Sequence, residues 1–176
     1  MRLVGGVYRH RELVWPKDLN TRPSKDMVRE AIFSAILTKV NHSVVLDLFA
    51  GSGAFALEAI SRGASFSYLV DNSLKAIEAI NQNITNLKIK NVKVYSSDYL
   101  TALNDLKNHQ VKIDILFLDP PYMMNDYQKY IDEARDLLNE HAVIVIESGS
   151  KITLNGNYQK VKDYQYGKTF VTILWK

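Results

Sequence analysis

Four aspartates in this sequence each close a short apolar or β-prone run. Asp47 follows Val44-Val45-Leu46, Asp71 follows Tyr68-Leu69-Val70, Asp98 follows Val92 to Ser97, and Asp119 follows Ile115-Leu116-Phe117-Leu118. The last of them opens Asp119-Pro120-Pro121-Tyr122. An acid, two prolines and a ring can serve an aromatic amine, whose lone pair is delocalised and poorly nucleophilic. Asp119 and the Pro120 carbonyl would each accept one N–H, contacts that help a reaction only as far as they strengthen in the transition state. Pro120-Pro121 restricts the backbone that aims the carbonyl. Tyr122 would offer a flat face to a base, a contact worth ~1–3 kcal/mol, and a base held this way must leave its stack. The plainer reading is a strand stopped by prolines, with Asp119 as turn former.

The first aspartate runs into Leu48-Phe49-Ala50-Gly51-Ser52-Gly53. Gly51, Gly53 and Ala56 satisfy G-x-G-x-x-G/A, and Asp71 stands 20 positions after Gly51. Taken alone, that pattern describes a dinucleotide site. Asp47 argues against it, because a carboxylate just before the glycines would repel a pyrophosphate. It suits a cationic ligand instead. S-adenosyl-L-methionine carries an ammonium and a sulfonium on an adenosine, whose ribose diol Asp71 would hold and whose amino group Asp98 would meet. Each acid read singly is an ordinary turn residue. Four on one rim around a glycine loop suggest a site.

Positioning those groups requires a parallel sheet. Strands are expected at Val44 to Leu48, Ser67 to Val70, Val92 to Ser96, Ile113 to Leu118 and Ala142 to Ile146, with helical periodicity between them. Leu74, Ile77, Ile80, Ile84 and Leu87 form one such helix face behind an Asn72/Ser73 cap. Strict alternation means βαβ crossovers with helices on both faces, and ligands in such sheets bind outside the carboxyl ends of the strands. Tyr158 to Tyr164 and Thr169 to Trp175 leave no room for a crossover around Tyr166-Gly167, so an antiparallel pair at one sheet edge is expected. At the amino end, Leu3 to Tyr8 and Glu12 to Trp15 alternate and predict a small hairpin over residues 1–16. Ser24 is the expected N-cap of a helix with Asp26 in its first turn and Val28, Ile32, Ala35 and Ile36 on its apolar face.

A chain of 176 residues, 47% hydrophobic and 23% charged, has the size and composition of one globular domain. It contains no cysteine, and His10, His42, His109 and His141 are too dispersed for a metal motif, so no metal is expected. With no apolar leader and no span of ~20 apolar residues, a cytoplasmic location off the membrane is expected. The net charge of +3 is unevenly placed: residues 1–30 hold seven Lys/Arg against four acids, and the remainder is neutral. Arg2, Arg9, Arg11, Arg22 and Lys25 thus form a candidate polyanion-docking segment.

These motifs, in this order, resemble the RsmD family, bacterial guanine-N2 methyltransferases of small-subunit ribosomal RNA. The likeness runs through MRLVGGVYRHREL, TRPSKDMVREAIF (Thr21 to Phe33), DLFAGSGAFALEAISRGA (Asp47 to Ala64), LVDNS (Leu69 to Ser73), SSD (Ser96 to Asp98), LDPPY (Leu118 to Tyr122) and YGKT (Tyr166 to Thr169). The glycine loop and Asp-Pro-Pro-Tyr are shared with many amino-group methyltransferases; the combination is the specific part. The resemblance implies a Rossmann-like, seven-stranded methyltransferase fold, S-adenosyl-L-methionine as donor, and a guanine in 16S RNA as acceptor; the expected partner is that RNA, naked or in an assembling 30S subunit, and a monomer is expected. Carried over, Asp47, Phe49, Ala50, Gly51, Ser52 and Gly53 would wrap the methionine end of the donor, Asp71 and Asn72 its ribose, and Asp98 its adenine. Asp119, Pro120, Pro121 and Tyr122 would handle the guanine. The family usually has Arg-Pro-Thr where this chain has Arg22-Pro23-Ser24; Arg22 would meet either the donor carboxylate or RNA. A DNA or RNA adenine methyltransferase and a non-catalytic nucleotide-binding assembly factor remain alternatives.

Overall fold

The computed structural model describes residues 1–16, 26–121 and 123–176. Helices α1 (Asp26–Ala35) and α2 (Leu37–Val40) precede β1 (Val44–Asp47), α3 (Ala54–Ser61), β2 (Phe66–Asp71), α4 (Leu74–Leu87), β3 (Val92–Ser96), α5 (Tyr99–Asn108), β4 (Ile113–Leu118), α6 (Tyr127–Ala134), β5 (Leu138–Ser148), β6 (Lys160–Tyr166) and β7 (Thr169–Trp175). The seven strands form one sheet in the order β3-β2-β1-β4-β5-β7-β6. The first five are mutually parallel, and β7 joins β5 and β6 antiparallel. This is the Rossmann-like methyltransferase topology with an antiparallel carboxyl-terminal pair.

Period-two alternation divides the core. Val45, Ile115, Phe117, Val143 and Val145 face α1 and α3, while Leu46, Leu116, Leu118, Ile144 and Ile146 face α5 and α6. Phe117 is held between Phe55, stacked at 5.0 Å, and Phe33 at 5.6 Å. After β3 the chain crosses to the other side of β1, so β1 and β4 flank the reversal of strand order where crevices open in such sheets. Asp47 closes β1 and Asp119 directly follows β4. No helix among the described residues is long and apolar enough to cross a membrane.

Two local expectations need correction. The amino-terminal hairpin is reduced to one bridge, Arg2 to Glu12, flanked by Leu3 N–H on the Arg11 carbonyl at 2.9 Å and Leu13 N–H on the Met1 carbonyl at 3.0 Å. Its first arm does not stay extended because Gly6 turns to φ +74°, and a Cβ there would sit 1.8 Å from the Ser61 carbonyl oxygen. The segment lies flat on α3 instead: Val4 N–H donates to Glu58 Oε2 at 2.8 Å and Tyr8 N–H to Ser61 Oγ at 2.9 Å, with Leu3 and Leu13 buried. Strand β5 also starts four residues before the expected Ala142, pairing Leu138 with Ile113 ahead of an irregularity in its register with β4. Asn139, which reads as a turn residue, donates there to Asp114 Oδ1 at 2.6 Å. The expected Ser24 cap lies outside the described residues.

Candidate active site

The loop from β1 into α3 owes its shape to two glycines. Gly51 (φ +56°) and Gly53 (φ +80°) both hold left-handed backbone, and a Cβ on Gly53 would come within 2.8 Å of Leu69. Gly53 N–H closes the turn on the Ala50 carbonyl at 2.7 Å. The turn is tied to the next strand end: Asp71 Oδ2 accepts from Gly51 N–H at 2.8 Å, and its Oδ1 from Ser73 N–H at 2.9 Å. Burial raises the Asp71 carboxyl above its ordinary range.

From the other side the loop is gripped by Asn83 of α4, which is 1% exposed. Its Oδ1 accepts from Val14 N–H at 2.7 Å, while Nδ2 donates to the Val14 carbonyl at 3.1 Å and the Ser52 carbonyl at 3.0 Å. One amide therefore joins the amino-terminal segment, the glycine loop and α4. Trp15, next along, reaches within 3.9 Å of where a Gly51 Cβ would stand.

These elements enclose a cleft of about 380 Å³ at the carboxyl ends of the strands, within the roughly 300–1,000 Å³ typical of small-molecule sites. Phe49, Ala50, Gly51, Ser52, Asp71, Asn72, Asp98, Asp119, Pro120 and Pro121 all line it. Asp47 and Gly53 stand behind its wall. Asp47 is 1% exposed; its Oδ2 accepts from Ala56 N–H at 3.3 Å, and its Oδ1 has no partner among the described residues. Burial, and secondarily the Asp71 charge, lift its pKa to about 7 against the pull of the Ala56 hydrogen bond. Asp47 is therefore a buried acid whose negative charge is only partly developed near neutral pH.

The charge argument survives on other residues. Asp71, Asp98, Asp119 and Glu147 line the cleft, with no Lys or Arg among the described lining residues. That lining suits a cation and disfavours a pyrophosphate. Asp98 also makes the structural contacts of an ordinary helix cap, accepting from Thr101 N–H at 3.0 Å and Thr101 Oγ1 at 2.6 Å, which hold its carboxyl low. Asp119 is the reverse case: burial first, then the charges of Glu147 and Asp47, push it well above the carboxylate range. Tyr122 lies outside the described residues.

Glu147, Trp15, Tyr99 and Asn83 escaped the sequence reading. Glu147 was detectable, since it follows Ile146 at the end of the fifth expected strand as the aspartates follow theirs. Tyr99 packs with Phe49 at 5.8 Å and Tyr130 at 5.1 Å between ring centres, an aromatic group assembled from the loop after β1, α5 and α6 that no local spacing reveals. Of the basic residues, Arg2, Arg9 and Arg11 are all exposed, and Arg2 pairs with Asp26 at 3.3 Å. Arg22 and Lys25 lie outside the described residues.

The family described as Conserved hypothetical protein 95 matches residues 1–175. The chain is also 33% identical over 150 residues to Ribosomal RNA small subunit methyltransferase D of Escherichia coli (strain K12), covering 84% of this chain and 74% of that one. The chain belongs to the RsmD family. YlbH of Bacillus subtilis (strain 168) is 34% identical over 183 residues, spanning 100% of this chain and 99% of its own. Among solved structures, YhhF from Escherichia coli superposes with a TM-score of 0.86 at 28% identity, over 100% of this chain and 97% of its own. The RsmD likeness thus extends over the amino-terminal segment and the sheet alike.

Proposed function

We propose that this protein methylates the exocyclic N2 of a guanine in small-subunit ribosomal RNA, using S-adenosyl-L-methionine. The observation that carries the reading is the cleft at the β1/β4 switch point, lined by acids with no Lys or Arg among the described lining residues, with Asp119-Pro120-Pro121 at its edge. Membership of the RsmD family supports the reaction type and the ribosomal RNA acceptor.

The residues present fit the donor. The Gly51-Ser52 turn would bring backbone close to the donor, Asp71 and Asn72 would hold its ribose diol, and Ser97, Asp98 and Tyr99, which line the same cleft, would meet its adenine. The unpartnered Asp47 Oδ1 beneath the loop adds negative potential as it ionises. Bound there, the donor supplies a methyl group activated on a positively charged sulfur.

On the acceptor side, Asp119 and the Pro120 carbonyl take N–H hydrogen bonds from the guanine amino group, which localises its lone pair. Asp119 accepts most strongly when ionised. Its neighbouring carboxylates oppose that and a bound cation favours it, so the site becomes competent once the donor is in place. Tyr122 supplies the stacking face. Arg9 and Arg11, with Arg22 and Lys25, hold the RNA backbone, and the enzyme works as a single methyltransferase domain and monomer in the cytoplasm.

The test is genetic. Mapping N2-methylguanine in small-subunit RNA from cells lacking the protein should show one guanine unmodified, restored by the native gene and not by Asp119→Ala. S-adenosylhomocysteine binding by purified Asp119→Ala should be largely kept. Restoration of the mark by Asp119→Ala would remove this residue from the chemistry.

A further inference from the structure

Glu147 stands beside Asp119 by construction of the sheet. Strands β4 and β5 are parallel, with Phe117 opposite Val145 and Leu118 opposite Ile146, and the same register carried one residue past β4 sets Asp119 against Glu147. Phe117 and Val145 both enter the cluster on the α1/α3 face. Period-two alternation puts Asp119 and Glu147 on that same face, one residue pair further, where both line the cleft with Phe55 and Pro120. The two carboxyl groups are near enough for the Glu147 charge to raise the Asp119 pKa. Two neighbouring acceptors form a template for two neighbouring donors. Among the Watson–Crick edges of the standard bases, only guanine places two N–H donor groups side by side, at N1 and N2. Adenine would turn its N1 lone pair toward a carboxylate, as cytosine would its N3.

Resting on the guanine-acceptor reading, we propose that Glu147 is the specificity-determining residue of the site: it accepts the guanine N1–H while Asp119 accepts from N2. Purine choice then lies in the β5 end, and the Asp-Pro-Pro-Tyr segment serves the amino group whichever base carries it. A half-buried cleft acceptor facing a base without the matching donor is a basis for rejection, because one polar group is left unpaired against another.

The experiment uses small-subunit RNA assembled by ligation, carrying either guanine or 2-aminopurine at the mapped position. 2-Aminopurine keeps the 2-amino group but has a bare N1. The native enzyme should prefer guanine by roughly tenfold or more in kcat/KM. In Glu147→Gln the side-chain amide can donate to the bare N1, so that preference should shrink by about tenfold. Titration followed by 2-aminopurine fluorescence should show the variant binding the analogue RNA more tightly, relative to guanine RNA, than the native enzyme does. Comparing two substrates on one enzyme cancels any difference in active fraction. An unchanged preference with guanine still methylated would overturn the role of Glu147 alone. A native enzyme that methylates no guanine would overturn the acceptor reading and this role with it.

Discussion

At the residue scale, the site is governed by what burial does to carboxyl groups. Asp47 has a pKa of about 7 where a free aspartate has 3.8, because it loses water and keeps one backbone hydrogen bond in exchange. The folded state therefore binds this proton more tightly than the unfolded chain. The associated stability is fully present below pH ~4 and is lost as pH rises toward ~7, to a total of about 4 kcal/mol. Asp119 shifts in the same direction. Asp47→Asn carries no such titration, so its stability advantage over the native protein should widen from pH 4 to pH 8 in ligand-free urea unfolding. A gap independent of pH would contradict the assignment. Sequence revealed these acids as a set because each ends a strand, but not their protonation, which depends on neighbours brought from β1, β2 and β5.

At the element scale, the helices act as clamps on loops that could not hold their own shape. The Asn83 amide joins three segments with hydrogen bonds of 2.7 to 3.1 Å. Asn83→Ala leaves those backbone groups buried without partners, at a cost of roughly 1–3 kcal/mol for each one left unsatisfied. It should also weaken S-adenosylhomocysteine binding, since the Ser52 turn loses its anchor; calorimetry giving a native Kd would show that the turn stands without it. The sheet was readable from sequence because alternation and apolar runs are local signals, and β3, β4 and β7 begin and end where those runs do. The amino-terminal pairing is shorter than its alternation suggests, one antiparallel bridge from Arg2 to Glu12, because that alternation also serves packing on α3. Gly6 permits a crossing over Ser61, and the Val4 amide is taken by Glu58, 54 positions away. Asn83 looked like an ordinary polar position in an amphipathic helix for the same reason: its partners lie 31 and 69 positions distant.

At the scale of the whole molecule, an acidic cleft sits on a chain whose net positive charge lies in its first thirty residues. The amino-terminal segment is packed against the glycine loop and α3, with Arg9 and Arg11 left exposed on its turn. An acidic pocket repels RNA phosphates, so productive docking needs cations placed around it. Replacing Arg9 and Arg11 by Ala should weaken RNA binding across sequences and reduce the slope of log K against log salt by about 1–2. S-adenosylhomocysteine binding should be retained. An unaltered slope would make these arginines ordinary surface charge.

The central claim is that this acid-lined cleft delivers a methyl group to the amino nitrogen of a guanine. Purified protein, S-adenosyl-L-methionine labelled in its methyl group, and 30S subunits from cells lacking the protein test it directly, with the RNA digested to nucleosides after reaction. Label should appear in N2-methylguanosine, and be lost with Asp119→Ala. Label in a methylated adenosine, or none in RNA at all, would contradict it.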